Sequence, residues 1–278
     1  MTDLGRKPIA VVKVSGDVLL NKEELQGLVG NIKELIENDW NVVLLHGGRI
    51  QTNELQEKMG LTPNRIAGRR VTSKDDLKVV KQAIAGEVNV DLVAALQTEG
   101  VNAFGCHGAS GKLIQAVKRP PRIIPEESDK PIDFGEVGDV TRINTKLLQN
   151  MLYFNLVPVI ATLGLGEDGA IYNINADTTV VEIARALHAD LLLLTSKAGA
   201  MFRDLHDPKS RIKKVTRSQA THLIADGVFQ GDMILNFEDA MGLLDYGVEM
   251  IGVAPTRVPG AFLDIADGRG QYGTRIID

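Results

Sequence analysis

The sequence contains one cysteine, Cys106, so it cannot form an intrachain disulfide. No apolar run approaches the roughly 20 residues that span a bilayer. The first eight residues are polar and do not form the apolar core of a signal peptide. These absences predict a cytoplasmic protein with no membrane partner. Cys106 itself is expected to be a small buried apolar residue.

The sequence also has fewer basic than acidic residues. It contains 31 lysines and arginines and 36 aspartates and glutamates, which gives a net charge of −5. This balance argues against a nucleic-acid partner. The five histidines are scattered, and neither HExxH nor CxxC occurs, so we predict no metal site built from the protein's own residues. GxxxxGK[ST] and GxSxG are missing too, which argues against P-loop nucleotidases and serine hydrolases.

Short runs of Val, Ile and Leu are the most regular feature that is present. They do not alternate with polar residues, which is typical of strands covered on both faces of a sheet. The predicted strands are Ile9–Val14, Val42–Leu45, Val157–Ala161, Leu191–Thr195 and Glu249–Val253.

Amphipathic helical stretches lie between these strands, at 23–37, 75–86 and 178–187. The alternation predicts an α/β fold with a mainly parallel central sheet and helices on both faces. The proline-rich segment 118–139 interrupts it and is predicted to be irregular or a small hairpin. We place a boundary between two lobes near Leu187, which gives lobes 1–187 and 188–278.

Glycines follow two of the predicted strands. Ser15-Gly16 comes after the first, and Gly47-Gly48 after the second. Each pair is compatible with a tight turn alone, but two such loops at the carboxyl ends of parallel strands favour a ligand site in which backbone amides hold phosphate oxygens. Lys13 ends an apolar run beside one loop, and we interpret it as a cation for a transferring phosphoryl group rather than a strand-end lysine.

The segment Gly166–Asp177 (GEDGAIYNINAD) is the most informative run. Its first part predicts a turn between short strands. Asn175 or Asp177 alone could cap the next helix, yet two amides and a carboxylate crowd one junction. Arg70 is suited to capture of a carboxylate, although a solvated arginine is the simpler interpretation of that residue in isolation.

These pieces, in this order, resemble N-acetylglutamate kinase of the amino-acid kinase family. The resemblance covers nearly the whole chain and rests on Gly166–Asp177. It is supported by LLHGG at 44–48, AGRRVTS at 67–73, GASGKLIQAVKR at 108–119 and LLLLTSKAG at 191–199. It implies the carbamate kinase-like fold and ATP-dependent phosphorylation of the side-chain carboxylate of N-acetylglutamate, or of a close analogue, as in arginine biosynthesis. ATP and Mg²⁺ are the implied cofactors.

The resemblance also implies residue roles. Lys13 would stabilise the transferring phosphoryl group and Asp177 would organise the catalytic lysines. The phosphate-binding positions would be Gly16, Gly47, Gly48 and Arg49. The acidic substrate would be held by Arg70, Asn173 and Asn175. The nucleotide would be approached by Thr195, Ser196, Lys197, Gly199, Met233 and Asn236.

Four positions depart from the family pattern. Ser15-Gly16 replaces a glycine pair, Arg49 replaces the third glycine of an HGGG loop, and Ser196 replaces an aspartate. A lysine that contacts the ATP phosphates is replaced by Asn236. Losing one phosphate-directed cation would cost about a hundredfold in rate, unless Arg49 or Lys197 supplies the charge. Two alternatives therefore stay open: a relative acting on another small acid or phosphate, and a catalytically impaired regulatory homologue.

The family resemblance further implies a homodimer. We predict that the two copies pair through a helix of the first lobe, at or near Asp75–Gly86.

Overall fold

A computed structural model describes residues 6–124, 127–196, 198–204, 206–225 and 240–278, with side chains described to 223 in the fourth range. The strands are β1 (Ile9–Val14), β2 (Asn41–His46), β3 (Arg65–Ile66), β4 (Arg69–Arg70), β5 (Ala103–His107), β6 (Ile114–Lys118), β7 (Arg122–Ile124), β8 (Ser128–Ile132), β9 (Val137–Ile143), β10 (Val157–Ala161), β11 (Leu163–Leu165), β12 (Ile171–Ile174), β13 (Leu191–Thr195), β14 (Met201–Phe202), β15 (Arg211–Ile212), β16 (Lys214–Thr216), β17 (Met250–Ala254) and β18 (Thr274–Ile277).

Eight strands form the central sheet in the order β16-β18-β17-β13-β1-β2-β10-β5. Every neighbouring pair is parallel except β17 and β18. All five strands predicted from the sequence belong to this sheet. The predicted α/β fold with a mainly parallel sheet is therefore confirmed.

The central strands are buried on both faces because their apolar residues serve two cores. In β1, Ala10, Val12 and Val14 belong to one apolar cluster, while Ile9 and Val11 belong to the other. Alternate residues of a strand point to opposite faces, so a continuous apolar run can cover a sheet twice. Lys13 has the parity of Ile9 and Val11 and therefore projects on their side.

Helices cover both faces, as predicted. Their bounds are α1 (Lys22–Glu37), α2 (Arg49–Lys58), α3 (Lys74–Val80), α4 (Asn89–Thr98), α5 (Thr145–Tyr153), α6 (Ala176–Leu187), α7 (Arg217–Ala225) and α8 (Ala261–Asp267), with short 3₁₀ turns at Val18–Leu20, Ser110–Lys112, Pro208–Ser210 and Gly242–Tyr246. The apolar faces of α1, α4 and α8 pack in one cluster, and those of α5 and α6 in the other. In the part of the chain that is described, no helix is both long and apolar enough to cross a membrane.

The predicted helix at 75–86 is not purely an α-helix. Helix α3 starts on a capping box between Ser73 and Asp76, and a π-helical stretch, Lys81–Val88, then runs into α4. Widened π turns are rare and often lie at functional sites. Here the π turn brings Ile84 and Val88 against the glycine loop that follows β2.

Smaller β units lie beside the central sheet. Strands β11, β12, β9 and β6 close a small barrel, and β3–β4 and β7–β8 are separate antiparallel pairs. The β7–β8 pair falls in the proline-rich segment 118–139, so the hairpin interpretation of that segment is confirmed. Gly169, with a φ of 84°, lies in the predicted turn between β11 and β12.

The predicted lobe boundary near Leu187 lies between α6 and β13 along the chain. In the sheet the two predicted lobes meet where β13 pairs in parallel with β1. Buried Asn31 of α1 hydrogen-bonds to the segment that follows β17. Its Nδ2 donates to the Thr256 carbonyl at 3.0 Å and to the Val258 carbonyl at 2.9 Å, and its Oδ1 accepts from the Phe262 amide. The backbones approach closely here, because a Cβ on Gly27 would lie 2.3 Å from the Thr256 oxygen. The two-lobe division remains a prediction, since one sheet runs through it.

Candidate active site

The carboxyl ends of β1, β2 and β13 meet at one edge of the sheet, where open α/β folds collect ligands. The glycine loops after β1 and β2 touch each other there. A Cβ on Gly16 would lie 3.6 Å from both the Gly48 Cα and the Arg49 amide nitrogen. Gln51 Nε2 also donates to the Gly16 carbonyl at 3.1 Å. The two loops predicted to bind phosphate thus form one surface.

Lys13 and Asp177 form an ion pair beside this surface. Lys13 projects from the end of β1 and Asp177 from the first turn of α6, which packs on that face of the sheet. Both side chains are about one-fifth exposed, at 19% and 20%. A lysine held in this way by a carboxylate has a fixed position from which to stabilise a developing negative charge.

Gly48 occupies the N-cap of α2, and no side chain caps its first turn. The first amides of a helix have no partner within the helix and favour anions. Arg49 is the first residue of α2, and its side chain is exposed at the rim of the site. Gly48 itself has little free space, because a Cβ would lie 3.0 Å from the Ile84 Cγ1.

His46, the last residue of β2, hydrogen-bonds to the second glycine loop. Its ring is fully buried, with Nδ1 2.8 Å from the Gly47 carbonyl and Nε2 2.8 Å from the Asn89 side-chain nitrogen. This arrangement requires Nδ1 to donate and Nε2 to accept, so the ring is neutral. Burial lowers the pKa of His46 to about 4, although the Gly47 carbonyl opposes the change.

Arg70 is anchored by two side chains of α2. Its Nη1 donates to Gln56 Oε1 and its Nη2 to Asn53 Oδ1. Burial, followed by repulsion from Arg65, lowers the pKa of Arg70 to about 10, so the guanidinium remains charged at neutral pH. The anchor places a fixed, partly buried cation in the wall of the site.

Asn173 and Asn175 also line the site. Asn173 Nδ2 donates to the hydroxyl of buried Thr72 at 3.1 Å. Asn175 caps α6, because its Oδ1 accepts from the Asp177 and Thr178 amides at 2.8 and 3.0 Å. The capping interpretation of Asn175 is therefore confirmed, and a substrate contact from the same residue remains a prediction.

A cleft of about 300 Å³ lies among several of these groups. Its lining includes seven of the predicted site residues, namely Gly47, Gly48, Arg49, Arg70, Asn173, Asn175 and Asp177. Its charged lining is unbalanced: the described residues contribute one acid, Asp177, and five arginines, namely Arg49, Arg65, Arg69, Arg70 and Arg119. Such a cleft is suited to an anionic ligand.

The predicted nucleotide positions lie at the end of β13. Thr195 is buried, and its hydroxyl accepts from the Ser15 amide and donates to the Lys13 carbonyl, at 3.0 Å each, which ties β13 to β1. Ser196 and Gly199 form the turn that follows, with a 2.9 Å bond from the Gly199 amide to the Ser196 carbonyl. Lys197, Met233 and Asn236 lie outside the described residues.

Three arginines that line the cleft were not among the predicted site residues: Arg65, Arg69 and Arg119. Arg119 is nearly buried and pairs with Asp139 at 2.6 Å. Arg69 and Arg119 do fall within the segments AGRRVTS and GASGKLIQAVKR, so the motifs contained a signal. Only the hairpin and the barrel bring these arginines to the cleft.

Comparison with known proteins decides between families that share this architecture. The sequence profile of the amino acid kinase family matches residues 8–250. The chain belongs to the amino acid kinase family. This family member is 38% identical to the acetylglutamate kinase of Anaeromyxobacter dehalogenans (strain 2CP-C), covering 95% of its own length and 97% of the relative's. It is 38% identical to that of Sorangium cellulosum (strain So ce56), covering 96% and 94%.

Solved structures agree on the fold. The crystal structure of smu.665 from Streptococcus mutans matches with a TM-score of 0.75 and 26% identity, covering 98% of this chain and 99% of that one. Carbamate kinase from Giardia lamblia bound to AMP-PNP matches with a TM-score of 0.70 at 15% identity, covering 98% and 99%. The predicted resemblance and the carbamate kinase-like fold are thereby confirmed.

Proposed function

We propose that this family member transfers the γ-phosphoryl group of ATP to the side-chain carboxylate of N-acetylglutamate, or of a closely related N-acyl acidic amino acid, as in arginine biosynthesis. The relatives named acetylglutamate kinase support this proposal over nearly the whole chain. The observation that carries it is the Lys13–Asp177 pair at one end of an arginine-rich cleft.

Arg70 and Asn173 are proposed to bind the α-carboxylate of the acid. The anchored guanidinium of Arg70 presents further N–H groups in a planar fork, which matches a carboxylate. Asn173 faces the same cleft from β12. Held by these two side chains, the acid would direct its side-chain carboxylate toward Lys13 and the glycine loops.

The amides of Gly16, Gly47 and Gly48 are proposed to hold the phosphate oxygens between donor and acceptor. Lys13 would offset the charge that grows on the transferring group, and Asp177 would keep the lysine in place. The acid's carboxylate oxygen would form the new bond to phosphorus as the bond to the ADP oxygen breaks, which gives an acyl phosphate. Positioning and charge would do most of the catalysis, without a covalent enzyme intermediate.

Mg²⁺ is expected to be held mainly by the nucleotide. Within the described residues no group of three or more His, Cys, Asp or Glu side chains is placed to hold a metal ion. Mg²⁺ in phosphoryl-transfer sites uses one or two carboxylates together with phosphate oxygens, and Asp177 is a carboxylate in the cleft. The donor set fits an ion that arrives with ATP, whose chemistry is to neutralise phosphate charge.

The nucleotide itself is proposed to lie against the second lobe, near Thr195, Ser196 and Gly199. Lys197, Met233 and Asn236 remain proposed contacts from the sequence pattern alone.

A coupled assay for ADP release tests the proposal, using MgATP with N-acetyl derivatives of glutamate, aspartate and 2-aminoadipate. We expect turnover with N-acetylglutamate and trapping of the acyl phosphate as a hydroxamate. Turnover with another acid alone would favour the relative of changed substrate. No turnover with any acid would favour the impaired homologue.

The replacement of a family lysine by Asn236 gives the impaired alternative its support, and Arg49 is the proposed compensating cation. Arg49 is the first residue of α2 and lines the cleft beside the glycine loops that are proposed to bind phosphate. If Arg49 compensates, Arg49→Gly will abolish activity and Arg49→Gly with Asn236→Lys will restore it. An unchanged Arg49→Gly enzyme, or a double variant no better than the single, would contradict compensation.

We also propose a cytoplasmic homodimer. The exposed side chains of the predicted helix 75–86 are mostly polar, but Val90 just beyond it is 60% exposed and Phe104 on the edge strand β5 is 48% exposed. These apolar groups support an interface at this end of the sheet. Light scattering should give twice the chain mass, and a monomer at micromolar concentration would contradict the proposal.

A further inference from the structure

Two buried polar side chains lie behind the glycine loop that follows β2. His46 and Asn89 are 0% and 6% exposed. His46 ends β2, and Asn89 begins α4 directly after the π-helical stretch Lys81–Val88. The two side chains meet, with His46 Nε2 2.8 Å from Asn89 Nδ2. Because buried polar groups depend on their hydrogen-bond partners, the geometry of this pair is fixed by the groups around it.

Asn89 determines which nitrogen of the imidazole carries the proton. Its Nδ2 donates to the Val159 carbonyl at 2.9 Å, and since a carbonyl can only accept, the amide nitrogen must face that way. The second hydrogen of the same group is available to His46 Nε2, which therefore accepts. The proton of the neutral ring is left on Nδ1, 2.8 Å from the Gly47 carbonyl. Asn89 thus makes His46 a donor toward the glycine loop.

The orientation of Asn89 follows from the packing of α4 on the sheet. A Cβ on Gly105 of β5 would lie 2.3 Å from Asn89 Oδ1, so this strand approaches the amide as closely as only a glycine permits. A flipped amide would turn its oxygen toward two acceptors, the Val159 carbonyl and His46 Nε2. The donor orientation of Asn89 is therefore the one that satisfies all three groups.

The bond from His46 sets the direction of the peptide that joins Gly47 to Gly48. This peptide bond is trans, so its C=O and N–H point in opposite directions. The carbonyl is directed at a fully buried ring, whereas both glycines line the cleft. The Gly48 amide is accordingly directed away from the interior and toward the cleft.

The next peptide is held by α2 itself. Buried Thr52 donates to the Gly48 carbonyl from its amide at 2.8 Å and from its hydroxyl at 2.7 Å. The Arg49 amide therefore points out of the helix start, as the first amides of any helix do. Successive amides presented in this way bind anions. The bond from His46 is additional to the helix and brings the Gly48 amide into the same array.

Resting on the proposed phosphoryl transfer, we propose that His46 and Asn89 are positioning residues for the phosphate oxygens. Asn89 keeps the imidazole proton on Nδ1, and this N–H holds the Gly47 carbonyl so that the Gly48 amide faces the phosphate. A Gly47 carbonyl turned toward the cleft would present an acceptor to the phosphate instead of a donor. Neither side chain belongs to the described lining of the cleft, so both act through the loop.

Paired substitutions of His46 test the donor. The amide nitrogen in His46→Asn stands as many bonds from Cβ as Nδ1 does and can still donate to Gly47, whereas His46→Leu has no donor. We expect His46→Leu to lower kcat about tenfold or more, because one transition-state donor is misdirected, and His46→Asn to keep most of the rate. Calorimetry should give both variants the wild-type affinity for N-acetylglutamate. Equal kcat values in the two variants would overturn the proposal.

Asn89→Leu acts on the same peptide from α4 and tests the proposal where His46→Leu does not fold. It should lower kcat to a similar degree. Nitrogen NMR should show the His46 ring protonated on Nδ1 in the wild type and no longer uniformly so in Asn89→Leu, with the His46 signals assigned by their absence from His46→Asn. A wild-type ring protonated on Nε2 would overturn the proposal.

Gln97→Ala is the matched control for Asn89→Leu. Gln97 also belongs to α4, and its Nε2 donates to the Ala103 carbonyl at 2.9 Å. The variant loses a side-chain hydrogen bond between α4 and β5 but leaves the loop unchanged, so it should keep both kcat and the His46 tautomer. A loss of kcat equal to that of Asn89→Leu would reduce the role of Asn89 to helix packing and overturn the proposal.

The wild-type protein separates this inference from the proposed function. An active wild type with unchanged kcat in His46→Leu and Asn89→Leu would overturn the inference and leave the proposed function standing. A wild type that phosphorylates no acid would overturn the proposed function, and the affinity for MgATP would then decide the inference. Weaker binding in the two leucine variants than in His46→Asn would support it, and equal binding in all three would overturn it.

Discussion

The two ends of the cleft are built by different means. The inner end is lined by Gly47, Gly48 and Asp177. Lys13 pairs with Asp177 there, and the Gly16 loop touches Gly48, so this end consists of backbone and two paired side chains placed by the central sheet and α6. The outer end, residues 65–70, consists of long arginines on two-residue strands. Geometry at the inner end is fixed by elements with large cores, whereas geometry at the outer end depends on side-chain hydrogen bonds. The inner end is thus suited to chemistry and the outer end to substrate selection.

Lys13→Ala should have the largest effect, at the inner end. Removing the cation that is proposed to face the transferring group is expected to lower kcat about 100- to 1,000-fold, by analogy with the loss of one transition-state donor. The KM for the acid should change little, because the outer end is intact. Steady-state kinetics of purified enzyme measure both constants.

Lys7→Ala is the control for Lys13→Ala, because Lys7 precedes the same strand and pairs with exposed Asp39 at 3.0 Å. It should retain wild-type kinetics. A Lys13→Ala enzyme that loses acid affinity rather than kcat would show that the two ends are not separable.

Lowering the pH should destabilise the fold through His46, which hydrogen-bonds to the glycine loop of the inner end. The folded-state pKa of about 4 lies below the ordinary value of 6.5, so the neutral ring stabilises the fold above pH 6.5 and this stability is lost as pH falls from 6.5 toward 4. The difference between the two pKa values corresponds to about 3 kcal/mol of unfolding free energy. Urea unfolding at pH 7 and pH 4 measures the change.

His46→Gln isolates this contribution from carboxylates that titrate in the same range. The variant has no imidazole to protonate, so its stability should fall less between the two pH values than that of the wild type. The same decrease in both proteins would mean that His46 does not carry the effect.

Arg70→Ala should affect the outer end alone. Loss of the anchored guanidinium is expected to weaken binding of the acid by about 2 kcal/mol or more, while affinity for the nucleotide stays largely intact. Calorimetry with each ligand separates the two. Arg122→Ala should change neither affinity, and an equal loss of both in Arg70→Ala would indicate misfolding.

Gly48→Ala should give the smallest effect, through packing under the inner end. The new Cβ would lie 3.0 Å from Ile84 and 3.4 Å from Val88, so the π turn must shift, at about 1 kcal/mol or more. Gly86→Ala in the same π turn meets no atom within 4 Å and should stabilise by about 0.5 kcal/mol. Denaturant midpoints that move in the same direction would contradict this difference.

The sheet and the inner end could be predicted because local sequence decides them. Apolar runs such as Ile9–Val14 require burial on both faces, and the glycines after β1 and β2 mark strand ends that a parallel sheet brings to one edge. Local sequence did not predict the Lys13–Asp177 contact, because this contact depends on the packing of α6 on the Lys13 face of the sheet. The family resemblance predicted it instead.

The outer end could not be predicted in the same way. Arg65 and Arg119 are separated along the chain and meet the cleft only through the register of β3–β4 and the barrel. The π turn at 81–88 was also missed, since its residues have ordinary helical periodicity and only the contact with Gly48 reveals the difference.

The hydrogen bonds of Asn31 cross the predicted lobe boundary, since α1 belongs to residues 1–187 and the segment after β17 to residues 188–278. Asn31 binds the segment after β17 from the α1 side, whereas Lys13 and Asp177 lie on the α6 side. One buried side chain therefore joins the two predicted lobes on the face of the sheet opposite the charged pair, so a substitution at Asn31 would test the cohesion of the lobes without removing any residue of the candidate site.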